Sequence, residues 1–373
     1  MTSMQFSERR TIWPTIKPYV MVFDGTLALL IFLILSVSAL TMYSAGMDAP
    51  GRFEDHMRNT MIAFVVMWMA AILPPQTLMR FAVPLYTLGV ALLVGVAMFG
   101  LIKKGARRWI NVGVVIQPSE IMKIAVPLML AWYFQKREGM IQWHHFLVAG
   151  VILAIPGVLI MRQPDLGTAL LVLAAGFYVI FFAGLSWKIL VTLVVLGLAS
   201  LPVAWSMLHD YQRQRVMTLI DPTTDPLGKG FHIIQSMIAI GSGGVSGKGW
   251  TNGTQTHLEF IPERTSDFLF AAYSEEFGLI GNIVLLVLYL LLIGRGLLIA
   301  ANAPTLFSRL LAGAITMIFF TYAFVNMGMV SGILPVVGVP LPFMSYGGTA
   351  FMTLGLGMGM LMSIQRHRKL VQS

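Results

Sequence analysis

Ten apolar runs divide this sequence, and several approach or exceed the roughly 20 residues that take a helix across a bilayer. They lie near residues 26–44, 57–73, 81–101, 119–135, 146–161, 167–185, 189–208, 268–293, 306–328 and 347–364. Inside hydrocarbon every backbone N–H and C=O must find a partner within the chain, so each run is expected to be a helix. The expected fold class is an all-α polytopic integral membrane protein of about ten transmembrane helices, with a large extracytoplasmic loop, about 209–267, before the eighth. Composition points the same way. Only 11% of the 373 residues are charged and mean hydropathy is +0.79, whereas a soluble domain carries about 25% charged residues.

Orientation follows from where the basic residues fall. Arg9, Arg10 and Lys17 precede the first run, which is too long for a signal-peptide core and is expected to stay as the first helix. An even number of spans puts both termini on one side. Long loops cross a membrane largely regardless of charge; outside 209–267, Lys and Arg favour the side of the termini, which is expected to be cytoplasmic. The acids between Asp48 and Asp267 then fall mostly on the outer face, with Glu8, Asp24 and Glu138 near the cytoplasm. The outer face therefore holds most groups able to do acid–base chemistry. The net charge of +9 is what positive-inside loops and an anionic lipid substrate would give, and nucleic acid is not an expected partner. There is no cysteine, so there is no disulfide framework or thiol site. The seven histidines show no metal-binding spacing.

Three stretches set ionisable groups at or inside the apolar runs. "KKGARRWINVGVVIQPSEIMKIA" (103–125) puts Lys103, Lys104, Arg107 and Arg108 on the outer side. They either grip lipid headgroups or form an anion site, for which the planar arginine fork is suited. In the same stretch Glu120 and Lys123 share one helix face. An ion pair joining helices and a place in a substrate cavity are both open, and charges at membrane depth usually mark function. "RQPDLGTAL" (162–170) sets Asp165 at the start of the sixth run, where it can cap the helix. "EFIPERTSDFLFAAYSEEFGLIG" (259–281) places Asp267 at the lip of the eighth run, as a cap or a functional acid. Glu275 and Glu276 lie about 12 Å deeper at 1.5 Å per residue. At least one of them is expected to meet a cation or hydrogen-bond donor, with helix-bridging contacts favoured over a proton relay.

Other stretches constrain the backbone. "GFHIIQSMIAIGSGG" (230–244) is apolar but too short to span, and is expected to lie on or dip into the outer interface as a helix. "GSGGVSGKGW" (241–250) fails the phosphate-loop pattern: Gly249 stands where Ser or Thr is required, and Ser242 where the first Gly should be. "SGILPVVGVPLPFMSYGG" (331–348) is rich in Pro and Gly yet apolar. Irregular backbone at that depth survives only when buried in protein or lining a cavity, so this stretch is expected to wall a site. Gly355 and Gly359 form a GxxxG pair suited to close helix packing.

Together "KGARRWINVGVVIQPSEIMKIA", "RQPDLGTALL", "DYQRQRVM", "DPLGKGFHIIQSMIAIGSGG", "GKGWTNGTQTHLEFIPERTSDFLFA" and "GILPVVGVPLPFMSYGG" resemble the SEDS (shape, elongation, division, sporulation) family, in its elongation branch. They cover about 103 to 350. The resemblance implies a single membrane domain over 1–373: a ten-helix glycosyltransferase of the bacterial inner (cytoplasmic) membrane. It further implies polymerisation of lipid II into glycan strands on the outer face for cell elongation, with a class B penicillin-binding protein (a transpeptidase) as partner. It implies, too, that Asp267 occupies the position of the family's essential acid.

In that setting the donor leaves as a lipid pyrophosphate, which needs no general acid. One base then suffices, rather than the carboxylate pair of glycoside hydrolases. Asp267 would take the proton from the acceptor sugar's 4-hydroxyl. Charge growing on the pyrophosphate needs fixed cations, for which Arg108, Lys123, Lys248 and Arg264 are candidates. Glu120, Asp165 and Ser345 complete the expected substrate-binding set. No particular cofactor is called for by the residues, and a divalent cation such as Mg2+ or Mn2+ is compatible with the chemistry. Two other functions compete. A lipid II flippase should carry substrate-binding groups in its cytoplasmic loops, which here are short and nearly free of acids. A non-catalytic scaffold for the transpeptidase should tolerate Asp267→Asn.

Overall fold

The computed structural model describes residues 22–103, 106–111, 115–163, 165–207, 213, 217–218, 221, 229–258, 261 and 263–368. Arg9, Arg10, Lys17, Lys104, Asp210, Asp225, Glu259 and Lys369 lie outside these residues, as do the side chains of Lys103 and Arg107. The first seven helices among the described residues are α1 (Gly25–Ala45), α2 (Arg52–Ile72), α3 (Pro75–Phe99), α4 (Pro118–Gln135), α5 (Trp143–Met161), α6 (Leu166–Phe182) and α7 (Trp187–Met207). Two shorter ones follow, α8 (Lys229–Ser242) and α9 (Thr254–His257). The last three are α10 (Leu269–Ala301), α11 (Leu306–Val330) and α12 (Gly348–His367). The ten long helices match the ten apolar runs, and the interface helix expected within 230–244 forms as α8.

The boundaries have local causes. Asp24 caps α1 by accepting from the Leu27 N–H at 3.0 Å, and Thr305 caps α11 through the Ser308 N–H. Pro75 and Pro118 open α3 and α4, where the missing N–H costs nothing. Asp24 also pairs with Arg295 of α10 at 2.6 Å. Burial pushes its carboxyl up, but the hydrogen bonds from Arg295 and Leu27 outweigh this and leave it below the usual carboxylate range.

One stretch departs from expectation. Residues 101–116 were expected as part of an outer loop, but form a three-stranded antiparallel sheet: β1 (Leu101–Lys103), β2 (Ala106–Asn111) and β3 (Val115–Ile116). Leu101 pairs with Trp109, and Ile110 with Ile116. Trp109 and the β-branched Ile110, Val115 and Ile116 suit strands.

Five helices, α1, α3, α5, α10 and α11, are long and apolar enough by length and composition to cross a membrane. The less apolar α4 and α12 are enclosed by the others instead, with most of their residues buried. There α12 packs tightly on α2. A Cβ at Gly355 would lie 2.7 Å from the Ala63 carbonyl oxygen, and one at Gly359 would lie 2.7 Å from the Ala70 Cβ. The GxxxG pair does what its spacing predicts. In contrast, α7 buries none of its described side chains.

The helix that follows Asp267 is broken. Gly278 has φ 62° and ψ −160° in the middle of α10, a conformation nearly confined to glycine. The break would orphan backbone groups, and the stretch 244–249 supplies their partners. Lys248 and Gly249 donate to the carbonyls of Glu275 and Glu276, each at 3.0 Å, while Leu279 and Ile280 donate to Gly244 and Val245 at 2.9 and 3.1 Å. The glycine-rich segment that fails as a phosphate loop is thus a plug for a helix break. Beyond the break, residues 279–301 are about 34 Å long at 1.5 Å per residue, enough to cross a roughly 30 Å hydrocarbon core unaided. The turns holding Glu275 and Glu276 are surplus to that span, which relieves the cost that two buried acids would carry at membrane depth.

Candidate active site

Three groups of polar side chains converge on α11 and the irregular segment that follows it. The first belongs to α4. Glu120 and Lys123, one turn apart, form an ion pair at 2.6 Å. Lys123 is 3% exposed and also donates to the Tyr322 hydroxyl of α11, while Thr353 of α12 donates to Glu120 at 3.3 Å. A buried pair with further hydrogen bonds on both members is a fixed cation–anion element rather than a mobile surface bridge.

The second group surrounds Asp165. It caps α6, accepting from the Thr168 N–H at 3.3 Å. Its other oxygen accepts from Gln117 Nε2 at 3.0 Å, and Arg108 of β2 stands 3.8 Å away. The cap and the wider polar role therefore coexist. The sheet that sequence reading missed is what brings Arg108 to the start of α6.

The third group contains Asp267. It is half-buried and lies in the turn that starts at Glu263 and leads into α10. The N-cap position of α10 falls on Phe268, with no side-chain cap, so Asp267 is not the helix cap. Its backbone carbonyl accepts from Asn326 Nδ2 at 2.9 Å, and the same amide donates to the Val339 carbonyl at 2.7 Å. Gly338 has φ +78°, and a Cβ there would lie 3.3 Å from Asp267 Oδ2. A Cβ on Gly167, near the start of α6, would lie 2.9 Å from the Val337 carbonyl oxygen. Residues 337–339 thus run between Asp165's helix and Asp267, as a wall expected of the 331–348 stretch. Tyr322 and Asn326 lie four residues apart on one face of α11, about 6 Å along its axis. That face links the Lys123 pair to the Asp267 turn.

Gly338→Ala should therefore act on the site more than on the fold. The left-handed backbone costs about 1 kcal/mol, and the new methyl must displace the Asp267 carboxylate by a few tenths of an ångström. Turnover should drop about tenfold, given how steeply rate depends on placement, with the folded yield retained. Steady-state rates of the glycosyl transfer expected from the sequence, beside a melting curve, check both.

Three expected substrate-binding residues have partners within the framework. Lys248 donates to Thr254 and Glu275, each at 2.7 Å. Arg264 is buried and donates to the Ala45 carbonyl at 3.0 Å, the Thr256 carbonyl at 2.7 Å and Asp48 at 3.1 Å. Ser345 is fully buried, and its hydroxyl accepts from the Leu341 N–H at 2.9 Å. Sequence reading missed Gln117, Tyr322, Asn326 and Gly338. The signal for two of them was present: Tyr322 and Asn326 are polar groups at i, i+4 within an apolar run. Among the described residues no three His, Asp or Glu side chains converge as a metal-ligand set.

Residues 18–370 match the FtsW/RodA/SpoVE family, described as cell cycle protein. The chain belongs to this family. Among FtsW/RodA/SpoVE relatives, the peptidoglycan glycosyltransferase MrdB of Escherichia coli (strain K12) is 49% identical over 365 residues, which is 97% of each protein. A chain from a peptidoglycan synthase complex superposes with a TM-score of 0.80 at 32% identity, covering 93% of this chain and 99% of that one. The crystal structure of the rod shape determining protein RodA of Thermus thermophilus gives 0.69 at 27% identity, covering 93% and 98%. The ten long helices and the polytopic membrane architecture agree with this membership.

Proposed function

We infer that the chain is a peptidoglycan glycosyltransferase that polymerises lipid II, with Asp267 as its general base. The single observation that carries this is the setting of Asp267: a half-buried carboxylate at the head of a broken helix, walled by residues 337–339 and linked along α11 to a buried cation. A base at the end of a span, rather than in a soluble domain, suits a substrate whose tail stays in the bilayer. Asp267 takes the proton of the acceptor's 4-hydroxyl as that oxygen attacks the anomeric carbon of the donor. The carbon–oxygen bond to the lipid pyrophosphate breaks, and the leaving group takes the electron pair. Arg108 and Lys123 are the side-chain cations we assign to the pyrophosphate, because both are preorganised by carboxylates, Asp165 and Glu120, that fix their position before substrate arrives. Glu120 and Asp165 act by holding these cations.

The site faces the outside of the cell membrane in this scheme, with both termini cytoplasmic. A class B penicillin-binding protein cross-links the strands as they emerge, in keeping with the peptidoglycan synthase complex that contains a similar chain. The test is polymer formation by the purified protein in liposomes with labelled lipid II, alone and with such a transpeptidase. Glycan ladders on a gel are expected. Absence of polymer under both conditions would remove the polymerase assignment and favour lipid transport or scaffolding.

A further inference from the structure

The proposed mechanism leaves Glu275 unused, yet it is the most heavily hydrogen-bonded acid among the described residues. Its side chain is fully buried. One oxygen accepts from Lys248 Nζ at 2.7 Å, from Thr254 Oγ1 at 3.1 Å and from the Gln255 N–H at 3.0 Å. The other accepts from the Thr256 N–H at 3.3 Å and Thr256 Oγ1 at 3.2 Å. Three types of donor, an ammonium, two hydroxyls and two backbone N–H groups, therefore meet one carboxylate, and every donor lies in 248–256.

These bonds continue to the catalytic turn. The Thr256 carbonyl accepts from Arg264 at 2.7 Å, and Arg264 stands three residues before Asp267 in the turn closed by Ser266 N–H to Glu263 carbonyl at 3.0 Å. The next residue, Thr265, is held from the other side, where its carbonyl accepts from the Tyr346 N–H at 2.8 Å. Glu275 itself follows Asp267 by about two turns of the same helix. The chain from 254 to 275 is thus a closed ring: out along the loop, through the Asp267 turn, and back down α10 to the carboxylate that fastens the loop.

We propose that Glu275 is a positioning residue for Asp267, acting through the 254–256 turn and Arg264. The inference rests on Asp267 being the base. Removing the carboxylate takes from Lys248 its anionic partner and from the Gln255 and Thr256 N–H groups their acceptor, and it frees the loop end of the ring, so Asp267 keeps its chemistry and loses its placement.

The test uses full-length protein in detergent or liposomes with lipid II. Glu275→Ala should lower kcat at least tenfold with KM within twofold, and should speed amide exchange at Gln255 and Thr256 while α4 and α11 stay protected. If Glu275→Ala does not fold, the double variant Thr254→Val with Thr256→Val decides, because it removes two hydroxyl donors with little change of shape. It should lower kcat severalfold with the same exchange pattern. An unchanged kcat in either folded variant overturns the proposal, and so does a rise in KM with kcat retained, which would move Glu275 to the substrate pocket. Asp267→Asn, assayed alongside, separates the two failures. Polymer from Asp267→Asn removes the base assignment itself; loss of polymer there, with normal kcat in the clasp variants, removes only the positioning role.

Discussion

Replacing Asp267 with Asn should abolish polymerisation while leaving the protein folded. The exchange keeps the size of the side chain and removes its charge and its ability to take up a proton. Two contacts that fix the turn are made by the backbone and persist in the variant: Asn326 donates to the Asp267 backbone carbonyl, and Thr265 is held by Tyr346. General-base catalysis contributes about 10²–10⁴-fold, so a loss of at least about 100-fold in strand formation is expected. The melting curve should match wild type. Labelled lipid II resolved on a gel measures the first quantity and a detergent melting experiment the second. Equal polymer from both proteins would place the base elsewhere in the cavity.

The second large effect is on folding. Gly278→Ala puts a Cβ 2.8 Å from the Val245 carbonyl oxygen and against the Gly247 amide. Both are backbone atoms held by the plug, and neither can swing aside. The backbone angles alone cost an L-residue about 1–3 kcal/mol, and overpacking adds about 1–3 kcal/mol more. A clearly lower melting temperature and folded yield are expected. Gly244→Ala is the control. It has a similar left-handed φ of +54° but nothing within 4 Å of its Cβ, so only the backbone cost remains. Similar melting of the two variants would mean that the break relaxes more easily than its contacts suggest.

What the sequence made legible was local. Apolar length placed all ten long helices, the GxxxG spacing foretold the α12–α2 approach, and Asp165 reads as a cap because capping needs only three following residues. Glu120 and Lys123 were likewise readable as one face. Partners far away in the chain were not readable. Lys123 meets Tyr322 across 199 positions and Arg264 meets Ala45 across 219, and no periodicity encodes such meetings. Residue type did not reveal partners either. A lysine and an arginine near an anionic substrate invite assignment to it, and nothing in their type foretold that Lys248 fastens onto a buried acid and Arg264 onto two carbonyls and Asp48. Residues 101–116 were hidden for a different reason: strands of two to six residues are too short to show an alternation against an apolar background. The helix break was hidden because one glycine in an apolar run looks the same whether or not the helix continues through it.

The break at Gly278 has a mechanical consequence. Bilayers differ in thickness, and a span adapts by tilting at a cost of fractions of a kcal/mol per ångström of mismatch. In an unbroken rod that tilt would swing the outermost turns through the largest arc, and any group mounted there would shift with it. Here the backbone ladder is interrupted at Gly278, and 244–249 is tied to both sides of the break. Two side chains also cross it: the Tyr273 hydroxyl donates to the Gly281 carbonyl at 2.7 Å and the Ser274 hydroxyl to Asn282 at 3.0 Å. The same fracture that makes Gly278 intolerant of a methyl group makes this plug the seam through which any lean of the span has to pass before it reaches the Asp267 turn.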